Sequence, residues 1–170
     1  TPFLFCIDYK AENGFAYPLD EIPSDISFSF DAQTIYNGKT APSITNKYPI
    51  KKESYKNKIE GIKERIKNGD IYMANLTATT NIELNCTIED IFAASKAPYK
   101  LLVKNNFVVS SPEAFVNIKN GKIYTYPMKG TAVYTGKKSI DDILDNKKEL
   151  SEHTMTVDLL RNDLSIVSKR

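Results

Sequence analysis

Alternation of apolar and polar positions opens the chain. Phe3 to Tyr9 alternates as a strand, Gly14 to Tyr17 reads as its return, and Ile26-Ser-Phe-Ser-Phe30 is a second alternating run. Asp31 to Tyr48 is rich in Asn, Gly, Thr, Pro and Ser without a clean period, which predicts a loop and the best candidate for a disordered or mobile segment. The period then changes. Tyr55, Ile59, Ile62 and Ile66 fall at i, i+4, i+7 and i+11 among lysines and glutamates, so a helix is expected from about Lys52 to Asn68, closed by Asn68-Gly69. The lysines form its solvated face.

Ile71 to Ile82 has the β-branched and aromatic composition of a long strand. Thr87 reads as the N-cap of a short helix running to about Ser95. Tyr99 to Val103 and Phe107 to Ser110 pair across Asn105-Asn106, and Ser111-Pro112-Glu113 predicts a short turn of helix. Asn120-Gly121, between Phe115-Val-Asn-Ile118 and Lys122-Ile-Tyr-Thr-Tyr126, is a strong two-residue hairpin signal, because both residues tolerate positive φ. A loop after Thr131 leads to a helix from about Ile140. A final helix, Lys147 to about Ile166, places Leu150, Val157, Leu160 and Leu164 on one buried stripe. Strands with helices packed on them give an α+β class with mostly antiparallel sheet.

Composition narrows the function. The 170 residues are one domain's worth, and a formal charge of +2 with interspersed signs leaves no basic face for nucleic acid. Cys6 and Cys86 make no disulfide framework and the single histidine allows no Cys/His zinc spacing, so both cysteines are read as reduced and the protein as cytoplasmic. No run approaches the roughly 18–20 apolar residues that span a bilayer, and Thr1-Pro-Phe-Leu-Phe lacks the basic lead-in of a signal peptide.

The candidate chemistry gathers around the Asn120-Gly121 hairpin, which should bring Glu113 and Lys129 to the same end of a sheet. Lys129 lies between Pro127-Met128 and Gly130-Thr131. These residues describe a solvated surface lysine as well as an amine nucleophile, which would need a lowered pKa or a nearby base. Spacing does not decide between them. Glu149 and Glu152, three apart, share a helical face and by themselves read as surface glutamates beside Lys147 and Lys148. Asp158, Arg161, Asn162 and Asp163 are read as a structural group pinning helix to sheet.

Four blocks together resemble the chorismate-utilising, anthranilate-synthase-component-I-like enzymes. They are Ser111-Pro-Glu-Ala-Phe115, Pro127-Met-Lys-Gly-Thr131, Lys148-Glu-Leu-Ser-Glu-His-Thr-Met-Thr-Val-Asp-Leu-Leu-Arg-Asn-Asp-Leu164 and, more weakly, Asn68-Gly-Asp-Ile-Tyr-Met-Ala-Asn-Leu-Thr77. The likeness is greatest to the aminodeoxychorismate synthase (para-aminobenzoate synthase) component I branch, where Lys-Gly-Thr replaces the Ala-Gly-Thr of anthranilate synthases. It implies conversion of chorismate and ammonia to 4-amino-4-deoxychorismate for folate synthesis, with ammonia from a glutamine amidotransferase subunit. Lys129 would be the covalent nucleophile and Glu113 the proton donor, its pKa raised by burial or a like charge. Gly130 and Thr131 would bind substrate, and Glu152, with Glu149 acting through water, would hold Mg²⁺. His153 would be a local neighbour rather than a base.

Three positions depart from the family pattern: Met73 where glutamine is usual, Ala132-Val133-Tyr134 where the run holds arginine, and Ser165 where glycine is typical. The family's region also extends beyond the block ending at Leu164, whereas this sequence stops at Lys169-Arg170. The resemblance thus implies a single partial domain over 1–170 lacking its C-terminal half, inactive alone and prone to self-association. Rival readings are an anthranilate or isochorismate synthase, or a non-enzymatic α+β binding module.

Overall fold

A computed structural model describes residues 1–30, 41–128 and 146–169. The fold is α+β, as the hydrophobic pattern predicts. In chain order the elements are β1 (Phe3–Ile7), β2 (Gly14–Pro18), β3 (Ile26–Ser29), β4 (Ile44–Tyr48), α1 (Lys52–Asn68), β5 (Asn81–Leu84) and α2 (Ile88–Ala94). Then follow β6 (Tyr99–Val103), β7 (Phe107–Ser111), β8 (Asn117–Lys119), β9 (Lys122–Tyr124) and α3 (Lys147–Val167). The helix expected from about Ile140 falls outside the described residues. The chain forms two compact units, one holding β1, β2, β4, β5, α1 and α2, the other β8, β9 and α3; β3, β6 and β7 contribute residues to both.

In the first unit, β1 and β2 pair antiparallel with Cys6 opposite Phe15 and Ile7 opposite Gly14. Gly14 is required there, because a Cβ would stand 2.5 Å from the Cys6 carbonyl oxygen. Leu4 points to the buried side of β1, while Phe3, Phe5 and Ile7 are exposed on its other face. The α1 helix ends as the sequence predicts. Gly69 adopts φ 81°, its N–H donates to Ile66 O at 3.1 Å, and the Asp70 N–H donates to Arg65 O at 3.0 Å, so the last carbonyls are satisfied. Thr87 caps α2 reciprocally with Asp90: the Asp90 N–H donates to Thr87 Oγ1 at 3.2 Å and the Thr87 N–H to Asp90 Oδ2 at 3.0 Å. Phe92 of α2 is buried.

Two expectations in this unit are corrected. Ile71–Ile82 is not one long strand: residues 71–80 have no regular structure and only Asn81–Leu84 is strand. Its Thr and Tyr residues have strand propensity but no ladder to satisfy it, and propensity without pairing does not make a strand. β5 pairs instead with Ile44–Tyr48, a stretch whose composition reads as loop. This pair is exposed and held by polar groups. The Glu83 carboxylate accepts from Asn46 Nδ2 and, at 2.7 Å, from the Tyr48 hydroxyl, while Asn85 Oδ1 accepts from the Ser43 N–H at 2.8 Å. Apolar alternation cannot report a strand held this way. The remainder of the expected loop, residues 31–40, falls outside the described residues.

The strand order β3-β6-β7 gives a three-stranded sheet, with Lys100 and Leu102 of its central strand buried. In the second unit, β8 and β9 form the expected antiparallel hairpin, with Ile118 opposite Ile123 and turn residues Asn120 (φ 53°) and Gly121 (φ 71°). The positive φ values at both central residues match the twist of the strands. Asn146 starts α3 by accepting from the backbone N–H groups of Lys148 and Glu149 at 3.0 and 3.3 Å.

Three further corrections concern this unit. Ser111-Pro112-Glu113 is a bend rather than a helical turn: β7 runs to Ser111, whose hydroxyl donates to Glu113 O at 2.9 Å and closes the turn locally. The expected stripe on α3 holds only in part, at Leu160 and Leu164. Leu150 and Val157 are 51% and 40% exposed, and the half-buried face carries Glu149, Glu152, Thr156, Leu160 and Leu164. Finally, among the described residues Arg161 pairs within its own helix and not with a sheet: its Nη2 lies 2.5 Å from Asp158 Oδ1, with both side chains mostly exposed.

Candidate active site

Glu113 sits between the end of β7 and the start of β8, in residues 112–116, which form no ladder. Two hydroxyls bracket it. Ser111 Oγ donates to Glu113 O and lies 3.4 Å from the Glu113 N–H, which points to it. Beyond it, Thr125 Oγ1 donates to Phe115 O at 2.8 Å, tying the incoming arm of the hairpin to the outgoing one.

The two arms and the final helix enclose an open cavity of about 330 Å³, with Glu113, Phe115, Thr125, Met128, Thr156 and Leu160 among its walls. Glu113 shares this cavity with Pro127 and Met128. Lys129, Gly130 and Thr131, next in sequence, lie outside the described residues. A larger cavity of about 940 Å³ shares Thr125, Tyr126, Pro127 and Leu160 with the first and adds His153 and Arg161 of α3.

Glu113 is exposed, so the described residues do not supply the burial that the sequence reading asks of a proton donor. Glu149 and Glu152 lie on the same half-buried face of α3 as Thr156 and Leu160, which line the smaller cavity. Side chains three apart on a helix have Cβ atoms roughly 5–6 Å apart, near enough to share one ion. Lys148 Nζ approaches Glu152 Oε1 at 3.8 Å, an exposed contact that competes weakly with any cation. Among the described residues no group of three or more His, Cys, Asp or Glu side chains converges, so these two carboxylates are at most part of a ligand set.

Sequence reasoning missed Thr125, Met128, Thr156 and Leu160 as cavity walls. Thr156 was accessible to it, being four residues after Glu152 and so on the same helical face. Thr125 was not, since only the hairpin register shows which carbonyl its hydroxyl meets. Asn46 and Tyr48 donors hold the Glu83 carboxyl below its ordinary value, and the bond to Glu83 pushes the Tyr48 phenol up. The Asn13 amide likewise lowers Asp8. Both cysteines are free, and among the described residues no helix is long and apolar enough to cross a membrane.

Comparison with known proteins agrees with the motif blocks. The chain is 37% identical over 174 residues to an uncharacterized PabA-like protein of Pasteurella multocida, covering 99% of this chain and 54% of the relative. A PabA-like protein of Haemophilus influenzae is 37% identical over 173 residues, covering 99% of this chain and 52% of the relative. Anthranilate synthase component 1 of Methanothermobacter marburgensis is 33% identical over 132 residues, 71% of this chain and 29% of that protein. The chain thus spans about half the length of the first two curated relatives. No solved structure matches it significantly. The chorismate binding enzymes match residues 18–170, and the chain belongs to that family.

Proposed function

We propose that this chain contributes the lysine-bearing part of an aminodeoxychorismate synthase component I active site. The observation that carries the reading is the cavity whose walls include Glu113, Pro127 and Met128, the last two leading into Lys129-Gly130-Thr131, within a chain of the chorismate binding enzyme family. In the proposed reaction the Lys129 amine adds at ring C2 of chorismate while Glu113 gives its proton to the C4 hydroxyl, which departs as water. Ammonia then adds at C4, the C2–N bond to lysine breaks, and 4-amino-4-deoxychorismate leaves. Gly130 and Thr131 would contact the substrate. A glutamine amidotransferase subunit would supply the ammonia.

The carboxylates of Glu149 and Glu152 have the hard oxygen donors and the shared face that suit Mg²⁺, and they would hold it with ligands from outside the described residues. When bound, the ion would neutralise a carboxylate of the substrate. The 170 residues alone are proposed to be inactive, since they span about half of the first two relatives, and to self-associate through apolar surface. Light scattering that reports a clean monomer would oppose the second point.

The similarity to anthranilate synthases supports a rival product. Supplying the intact gene product with chorismate, ammonia and Mg²⁺ separates the two. We expect 4-amino-4-deoxychorismate; anthranilate or isochorismate would overturn the assignment.

A further inference from the structure

We infer that Thr125 is a positioning residue that acts through Glu113, an inference that rests on the function proposed above. Glu113 is carried by a segment without ladder bonds, and a carboxylate on a free loop would sample many positions. The last strand pair of the hairpin is Asn117 opposite Tyr124. Thr125 Oγ1 extends the tie past that pair by donating 2.8 Å to Phe115 O, two residues from Glu113. The Ser111 hydroxyl fixes the other side through Glu113 O at 2.9 Å. Thr125 also lines both cavities. Its hydroxyl thereby sets the separation between the arm bearing Glu113 and the arm running through Pro127 and Met128. Misplacement of a reacting group by about 1 Å can cost on the order of 100-fold in rate, so one hydrogen bond here has leverage well above its own strength.

The test is a double-mutant cycle in the intact gene product with chorismate, ammonia and Mg²⁺. Thr125→Val keeps the shape and removes the donor; we expect kcat to fall about 10- to 100-fold with KM nearly constant. Thr125→Ser restores the donor and should recover most of that loss. In a Glu113→Gln background, Thr125→Val should cost little more, because the group it positions is already gone. An equal cost in both backgrounds, or no effect of Thr125→Val, would overturn the inference while leaving the proposed function intact. Glu113→Gln at the wild-type rate would instead overturn the function. Where Thr125→Val does not fold, Thr125→Ala, which also removes the donor, carries the same cycle and is read in the same way.

Discussion

The helices α1 and α3 make an instructive pair. Both are amphipathic by sequence and both end where their patterns predict, at Asn68 and close to Ile166. In α1 the half-buried residues Tyr55, Ile59 and Ile62 belong to the apolar stripe, whose fourth member, Ile66, is exposed. In α3 half-buried Leu160 and Leu164 share their face with Glu149, Glu152 and Thr156, while Leu150 is exposed and Val157 lines the larger cavity. One helix follows the rule that apolar residues turn inward. In the other, two carboxylates and a hydroxyl join the leucines on the half-buried face whose Thr156 and Leu160 line the smaller cavity.

Substitutions that separate these roles would sharpen the contrast. The largest effect belongs to α3: Glu152→Gln in the intact gene product should lower activity by about 100-fold and raise the Mg²⁺ concentration needed, with the melting temperature nearly constant. Steady-state rates against Mg²⁺ check this, and an unchanged rate would make α3 an ordinary helix with odd burial. In α1 the order reverses. Ile59→Ala should cost about 1 kcal/mol of stability, as expected for a half-buried aliphatic side chain, and leave the rate per folded molecule unchanged, measured by urea titration alongside activity. Gly69→Ala, at φ 81°, should also cost about 1 kcal/mol through the lost left-handed cap.

The smallest effect lies on the polar β4–β5 pair. Glu83 has its pKa lowered in the folded state, so its contribution is fully present above the unfolded value and is lost as pH falls through the folded one. The pair should therefore loosen in acid, and Glu83→Gln should remove that dependence. Amide exchange or amide chemical shifts at residues 44–48, followed from neutral pH down, would show it. The groups are exposed, which keeps the effect small.

Elements that announce themselves by local rules were legible in the sequence. Asn120-Gly121, Thr87 with Asp90, and Asn68-Gly69 each satisfy backbone groups from within a few residues, so composition alone places them. What depends on a distant partner was not. β4 exists because Asn46 and Tyr48 meet Glu83 across the ladder, and residues 71–80 lack strand structure because their β-branched side chains find no ladder. The bend at Ser111-Pro112-Glu113 follows from a serine hydroxyl that bonds locally, where a helix would have required it as a cap. The motif residues of the site came from resemblance, and the cavity shows which further side chains accompany Glu113. Thr125 was invisible to pattern because its role lies in one long-range hydrogen bond.

The central claim is that the residue following Met128 bonds to the substrate. Intact-mass analysis of the full gene product incubated with chorismate and Mg²⁺ but without ammonia tests it directly, with peptide mapping to locate any adduct. The account predicts added mass on Lys129, absent in Lys129→Ala and discharged by ammonia. Turnover to aminodeoxychorismate by Lys129→Ala at the wild-type rate, with no adduct on the native protein, would contradict it.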